Sequence, residues 1–247
     1  MVRSNLVAKI KKGKRWEEKI LIFAIFLLVV INYNFIDGQF KNLIGGSQEA
    51  FAERVIDGDT IDIGNESVRL LGINTPEKGD FFYNEAKIFL ESMVLEKNVT
   101  LEFVGPRYDK YDRLLAYVFS DSKNVNVEMV ENGFANYYFY EGKDMYSGDL
   151  VIAWNQCMQN KINLCEPSEN SCASCIYLNS NSITNFCSES CNVSGWQVRG
   201  EGREKFVFVE QSIAPGEEAM FVLNLENSGG SVFLRDEEGK LVYWQSP

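Results

Sequence analysis

The sequence predicts a mainly β fold with helices: a small five-stranded barrel, then a β-sandwich, with an N-terminal apolar helix in front. Three observations predict this organisation. Short strand-like segments separated by glycine-containing turns occupy residues 51–71, and an amphipathic segment follows them. Strand-like and amphipathic segments then alternate up to residue 160. Beyond residue 195, short strand-like segments alternate with Gly, Pro and Asn turns and have no helical period.

The barrel is predicted from strands and helices in residues 50–165. Strands are predicted at 51–56, 60–63, 67–71, 99–104 and 114–119. The i, i+3, i+4 spacing predicts a helix containing Ala86, Phe89, Leu90, Met93 and Val94. Further helices are predicted at 125–132, with Gly133 as the C′ residue, and near 149–160. Strands and helices in this order suit a five-stranded barrel capped by helices.

Residues 166–247 are predicted to form a Cys-rich junction and a β-sandwich. The junction, up to residue 192, is rich in Ser, Asn and Cys and shows little periodicity. Strands are predicted at 196–198, 205–209, 219–223, 232–234 and 241–244. Regular short strands with polar turns and no helix are typical of a β-sandwich.

The N-terminus combines a basic segment at 1–19 with an apolar segment at 20–36. A basic flank before an apolar stretch is typical of an export signal that leaves the N-terminus inside the cell. No small-x-small cleavage site follows, which favours an uncleaved transmembrane anchor over a removed signal peptide. We therefore expect a linker at 37–49 and membrane-anchored extracytoplasmic domains, or a secreted protein if the signal is cleaved.

The composition excludes several catalytic classes, because the 247 residues contain no histidine. Ser-His-Asp and Cys-His nucleophile systems and His-ligated zinc are therefore excluded. Any hydrolytic chemistry must use carboxylates, arginines and a metal held by oxygen. The net charge of −11 makes the protein a poor general binder of polyanions, so nucleic-acid affinity requires a local basic site.

Three short segments carry polar residues suited to such chemistry. Residues 55–60 read VIDGDT, residues 69–77 read RLLGINTPE, and residues 108–113 read YDKYDR. Taken singly, an Asp-Gly-Asp turn or a strand-end arginine is a common surface feature. Their combination in this order predicts one site.

These segments resemble the thermonuclease (staphylococcal nuclease-like) family, and the resemblance covers residues 50–165. It implies an OB-fold barrel with helices and Ca²⁺-dependent hydrolysis of DNA and/or RNA. Glu77 would be the general base, with Arg69 and Arg113 as the phosphate-binding pair. The Ca²⁺ ligands would be the side-chain oxygens of Asp59 and Asn74 and the backbone carbonyl of Thr75.

Elementary chemistry supports these roles. Ca²⁺ prefers oxygen ligands, a separate carboxylate must take the water proton, and guanidinium groups hold phosphate bidentately. Tyr108, Lys110 and Tyr111 are predicted to contact nucleic acid by base stacking and charge, with ordinary packing as the alternative for the tyrosines. Asn74 stands where the family often has Asp, which removes one negative charge from the metal site. The loop between Glu77 and the first helix is also short.

All six cysteines lie between Cys157 and Cys191. An exported chain favours disulfides, with the pairing left open among 15 connectivities. The alternative is a four-thiolate zinc site built from Cys172-x-x-Cys175 and Cys187-x₃-Cys191.

Residues from about 173 onward resemble the lamin-tail domain family, which implies an immunoglobulin-like β-sandwich. The matching residues include Val193-Ser194-Gly195-Trp196 and Asn227-Ser228-Gly229-Gly230. No catalytic constellation is visible there, so a binding or positioning module with an unknown partner is expected. The rival to an enzyme is a non-catalytic nucleic-acid or surface-binding module, and the presence of Asp59, Glu77 and both arginines favours the enzyme.

Overall fold

The computed structural model describes residues 23, 46–140, 142–200, 202, 204–223 and 231–245. The chain divides into two compact units, Met1–Gly46 and Ser47–Pro247, and the second is described below. Apart from Phe23, the predicted basic segment and apolar helix lie outside the described residues. Within the described part of the chain, no helix is long and apolar enough to span a membrane.

Among its described residues, the first half of the unit contains nine strands, three α-helices and a 3₁₀ turn. The strands are β1 Ser47–Phe51, β2 Arg54–Asp57, β3 Thr60–Asp62, β4 Ser67–Leu70, β5 Ile73–Asn74, β6 Asn98–Glu102, β7 Leu114–Ser120, β8 Lys123–Asn124 and β9 Asn136–Tyr137. The helices are α1 Tyr83–Val94, α2 Val125–Glu131 and α3 Ser147–Asn160, and the 3₁₀ turn is Asn163–Cys165.

The main sheet has the order β1-β6-β7-β4-β3-β2, and β8 pairs with β7. Within it, only the β4–β7 pair is parallel. The first and last strands in this order, β1 and β2, are consecutive in the sequence, and only Ala52 and Glu53 separate them. This order agrees with a five-stranded barrel if the consecutive strands β1 and β2 are counted as one position, and barrel closure stays a prediction.

The single strand predicted at 51–56 is wrong, because the chain changes partners in its middle. Ala52 is fully buried and its N–H donates to the carbonyl of Lys97, whereas the N–H of Glu53 donates to the carbonyl of Asp62. The first strand also begins at Ser47, within the segment predicted as linker.

The three predicted helices are confirmed. Helix α1 buries Ala86, Leu90 and Val94 at four-residue spacing. Helix α2 begins at an Asn124 cap whose side chain accepts hydrogen bonds from two backbone N–H groups, and Gly133 follows it with φ 69°, as its C′ position requires. The apolar faces of these helices close the core against the sheet.

In the part of the second half that the structure describes, there are nine further short strands. They are β10 Ile176–Leu178, β11 Ser182–Asn185, β12 Cys191–Asn192, β13 Gln197–Gly200, β14 Lys205–Val207, β15 Ser212–Ile213, β16 Glu218–Met220, β17 Val232–Arg235 and β18 Leu241–Gln245. They form sheets β10-β11-β16, β12-β15 and β14-β13-β17-β18. The strands β10, β11 and β12 were missed in the Cys-rich junction, because strands of two to four residues are too short to show a period. The immunoglobulin-like sandwich stays a prediction.

All six cysteines form disulfides, which confirms that prediction. The pairs are Cys157–Cys165, Cys172–Cys191 and Cys175–Cys187. A zinc site needs thiolates, and none of these cysteines is free, so the zinc alternative is wrong. The sulfur atoms of Cys172, Cys187 and Cys191 lie within 4.8 Å of one another because the two disulfides are neighbours.

The two halves share a hydrophobic core. The Trp154 ring of α3 lies 5.5 Å from the Phe233 ring and 5.8 Å from the Trp244 ring. Buried Arg235 donates to the carbonyl of Leu164 at 2.6 Å. The C-terminal strands are therefore packed directly on the nuclease-like half, and the boundary at residue 165 stays a prediction.

Candidate active site

The turn between β2 and β3 positions Asp59 at the centre of the site. The Asp59 side chain is buried, and its Oδ1 accepts a hydrogen bond from the Thr60 hydroxyl at 3.0 Å. Gly58 allows this turn to lie against the second motif, because a Cβ at that position would lie 2.7 Å from the Thr75 hydroxyl. Burial and then the neighbouring Asp59 charge raise the pKa of Asp57, the other carboxyl of the turn.

The second motif meets this turn through Thr75. The Thr75 N–H donates to Asp59 Oδ2 at 3.2 Å, and the Thr75 hydroxyl donates to the same oxygen at 3.1 Å. Pairing of β5 with β9 fixes Asn74 beside Asn136, whose buried Oδ1 has no hydrogen-bond partner among the described residues. The structure thus brings the three residues of the predicted metal site together, because Asn74 and Thr75 are consecutive and Thr75 is hydrogen-bonded to Asp59.

Arg69 joins the predicted metal ligands to one another. Its guanidinium lies 3.2 Å from Asp59 Oδ2 and donates to Asn74 Oδ1 at 3.1 Å. The same guanidinium also donates to the carbonyls of Leu70 at 2.8 Å and Ile73 at 2.9 Å. Backbone carbonyls therefore hold this cation at the end of β4 with little side-chain freedom.

Arg113 reaches the site from the start of β7. Its NH1 donates to the Thr60 hydroxyl at 3.4 Å, and its Nε donates to Asp109 Oδ2 at 2.8 Å. Asp109 also accepts the backbone N–H groups of Tyr111 and Arg113. Burial alone would raise the pKa of Asp109, but these donors and the Arg113 charge outweigh it and lower that pKa. The sequence analysis did not assign Asp109 a role in orienting Arg113. Its spacing of four residues from Arg113 was the one feature that could have suggested this pairing.

Glu77 lies on the loop that leaves the metal-ligand cluster. It follows Thr75 across Pro76 and is half-buried. Its backbone N–H donates to Asp80 Oδ2 at 3.2 Å, and its carbonyl accepts from the Asp80 N–H at 2.8 Å. Asp80 was not singled out from the sequence, because nothing in the local pattern distinguishes it from an ordinary turn aspartate.

The predicted nucleic-acid contacts are exposed and lie beside Arg113. Tyr111 is 61% exposed, so its ring is not part of the core. Lys110 Nζ lies 5.1 Å and the Arg113 guanidinium 5.5 Å from that ring. Tyr108 is also exposed, and its hydroxyl donates to Glu66 at 3.3 Å.

The donor set fits a hard divalent cation. Asp59 offers a carboxylate, Asn74 an amide oxygen and Thr75 a backbone carbonyl, and the described residues of the site contribute no thiolate or imidazole. Two guanidinium groups flank the same cluster. This arrangement can hold a metal and a phosphate together, which defines the site of a phosphodiester-cleaving enzyme.

Comparison with known proteins agrees with this geometry. The family model described as staphylococcal nuclease homologue matches residues 67–166. The thermonuclease of Staphylococcus intermedius is 32% identical over 161 residues, covering 60% of this chain and 95% of that protein. The thermonuclease of Staphylococcus hyicus is 28% identical over 159 residues, covering 58% and 94%. Endonuclease YncB of Bacillus subtilis is 32% identical over 124 residues, covering 45% and 59%.

The chain therefore belongs to the staphylococcal nuclease family. It is a nuclease, and nucleic acid is its substrate. The family is metal-dependent. The matched family model ends at residue 166, so the lamin-tail resemblance of the following residues stays a prediction.

Proposed function

We propose that the protein is a Ca²⁺-dependent nuclease that hydrolyses phosphodiester bonds of DNA and/or RNA outside the cytoplasm. The observation that carries this proposal is the cluster of buried Asp59, Asn74 and Thr75 next to Arg69, with Arg113 attached through Thr60. The cluster combines the oxygen ligands that Ca²⁺ prefers with two phosphate-binding cations.

The proposed roles follow from the chemistry of each group. Asp59, Asn74 and the Thr75 carbonyl would hold Ca²⁺, which when bound acts as a Lewis acid toward the phosphate. Arg69 and Arg113 bind the non-bridging phosphate oxygens and bind them more strongly as negative charge develops in the transition state.

Glu77 acts as the general base in this proposal. Its carboxylate accepts a proton from the water whose oxygen attacks phosphorus. The exposed ring of Tyr111, flanked by Lys110 and Arg113, offers a stacking surface for a base next to the bound phosphate. Tyr108 lies at the edge of this surface.

The proposed location is extracytoplasmic, with residues 20–36 anchoring the protein in the membrane or acting as a removed signal. Three disulfides support this location, because disulfides persist mainly in oxidising compartments. We further propose that an OB-fold barrel carries the catalytic residues. A lamin-tail-like, immunoglobulin-like β-sandwich would follow it and serve to bind a partner or to position the enzyme.

The test is cleavage by the full-length protein purified in detergent. Single-stranded DNA, duplex DNA and RNA are incubated separately with Ca²⁺, with Mg²⁺ and with excess chelator. We expect cleavage with Ca²⁺ that stops on chelation. Binding of intact nucleic acid without cleavage under every condition would instead identify a non-catalytic binding module.

A further inference from the structure

The loop that carries Glu77 is fastened by the C-terminal half of the protein. The carboxylate of Asp80 lies in this loop with a side chain only 4% exposed. Arg199, on β13, donates to Asp80 Oδ2 at 2.9 Å, and Lys205, on β14, forms a short ion pair with Oδ1. Two cations from the C-terminal sheet therefore converge on one carboxylate of the nuclease half.

The same carboxylate also holds the backbone of Glu77. Asp80 Oδ2 accepts from Arg199 on one side and from the Glu77 N–H on the other, at 3.2 Å. The Asp80 N–H returns a hydrogen bond to the Glu77 carbonyl at 2.8 Å. Asp80 thus connects the C-terminal sheet to the backbone of the proposed general base through a single side chain.

A second contact fixes the adjacent residue. Gly239, in the turn between β17 and β18, faces the Phe81 ring so closely that an added Cβ would lie 2.5 Å from it. Two consecutive loop residues, Asp80 and Phe81, are therefore held by the C-terminal half. A short loop held at both positions has few alternative conformations, which keeps Glu77 in one place.

The two cations stabilise the ionised carboxylate of Asp80. Burial alone would raise the pKa of Asp80, but Lys205 and Arg199 outweigh burial and lower that pKa. Removing either cation leaves the Asp80 carboxylate with one charged partner in place of two, so loss of either partner should disturb the loop. Ion pairs elsewhere on the surface, such as Lys240 with Glu166 at 3.3 Å, do not involve this loop.

We propose that Asp80 is a positioning residue for Glu77, and that the C-terminal domain completes the active site by holding Asp80 through Arg199 and Lys205. This inference rests on the proposed role of Glu77 as general base. Under this proposal the C-terminal domain contributes to turnover, and this contribution does not depend on a partner that the domain binds.

The first test separates turnover from binding. In the full-length protein, Asp80→Asn should lower kcat roughly 10- to 100-fold, because a small displacement of the base is enough for such a loss. The KM for DNA should stay within about twofold, since phosphate binding by the arginines is untouched. Arg199→Gln and Lys205→Gln should each lower kcat, and Arg199→Lys should recover most of the loss because it restores the charge.

The matched control is Lys240→Gln, which removes a C-terminal lysine paired only with Glu166 and Glu238 among the described residues. Its kcat should equal that of the wild type. Lys205 is more exposed than Arg199, so Lys205→Gln should fold even where a substitution at Arg199 does not. An unchanged kcat in folded Asp80→Asn and Lys205→Gln proteins would overturn the proposal.

The second test does not depend on activity. Hydrogen–deuterium exchange of the peptide 76–82 should be faster in Asp80→Asn and Lys205→Gln than in the wild type and in Lys240→Gln. If the wild type cleaves no nucleic acid but exchange accelerates as expected, the proposed function fails while the fastening of the loop stands. Unchanged exchange together with normal cleavage would instead leave the proposed function intact and remove the positioning role.

Discussion

The guanidinium of Arg69 lies 3.2 Å from Oδ2 of Asp59, so a phosphate-binding cation and a metal-binding anion of the proposed site are direct neighbours. Each stabilises the charge of the other while the site holds no phosphate. In the proposed mechanism, metal and phosphate would bind at adjacent points of one cluster, and substitutions on either side of the pair should affect different steps of the reaction.

Replacement of the proposed base should abolish chemistry without abolishing binding. Glu77→Gln keeps the size and hydrogen-bonding capacity of the side chain but removes the proton acceptor, so hydrolysis should fall by roughly 10²–10⁴-fold. Affinity for a short oligonucleotide should change little, because the arginines and the metal make the phosphate contacts. Single-turnover cleavage and fluorescence anisotropy measure the two quantities, and cleavage at the wild-type rate would remove Glu77 from the mechanism.

A charge added at the metal site should strengthen Ca²⁺ binding. Asn74→Asp replaces a neutral amide oxygen by a carboxylate oxygen, so the Ca²⁺ concentration for half-maximal activity should fall. The control is Asn65→Asp, which adds the same charge at the exposed turn between β3 and β4. Equal Ca²⁺ requirements in the wild type and Asn74→Asp, or activity in excess chelator, would show that the metal lies elsewhere.

The planar, bidentate geometry of the Arg113 guanidinium should contribute more to turnover than its positive charge alone. Arg113→Lys keeps the positive charge but cannot hold Asp109 and a phosphate at once, so kcat should fall at least about tenfold. Asp109→Asn should give a smaller loss, because it weakens only the orientation of the guanidinium. Arg54→Lys is the control, since Arg54 is exposed and pairs with Asp62 away from the cluster. Steady-state kinetics of the three variants measure kcat. A kcat for Arg113→Lys equal to that for Arg54→Lys would contradict this prediction.

Acid should remove the stability that Asp80 contributes. Its pKa in the folded protein lies below the ordinary value of 3.8, so its contribution is present above that pH and is lost as pH falls through the folded pKa. The Tm difference between the wild type and Asp80→Asn should therefore be large at pH 7 and shrink below pH 3.8. Calorimetry at several pH values measures it, with Asp121→Asn as a control for an exposed carboxylate that pairs with Lys97 at 3.7 Å. A difference that does not change with pH would contradict the pairing.

Local sequence determined the helices, and the resemblance of its motifs to the thermonuclease family predicted the site residues. The four-residue spacing of Ala86, Leu90 and Val94 and the position of Gly133 predict α1 and the end of α2, because both patterns depend only on nearby chain geometry. The VIDGDT and RLLGINTPE segments likewise predict Asp59 and Arg69 as parts of one site. The split of the first strand at Ala52 was not predictable, since it depends on a change of partner from Lys97 to Asp62.

Only the tertiary structure decided how the C-terminal half meets the site. Asp80 and Arg199 are 119 positions apart, and neither lies in a pattern that points to the other. The disulfide pairing was open for the same reason, because six cysteines in a short segment allow many connectivities. Local patterns report which face of an element is apolar, whereas contacts between distant segments depend on how those faces pack together.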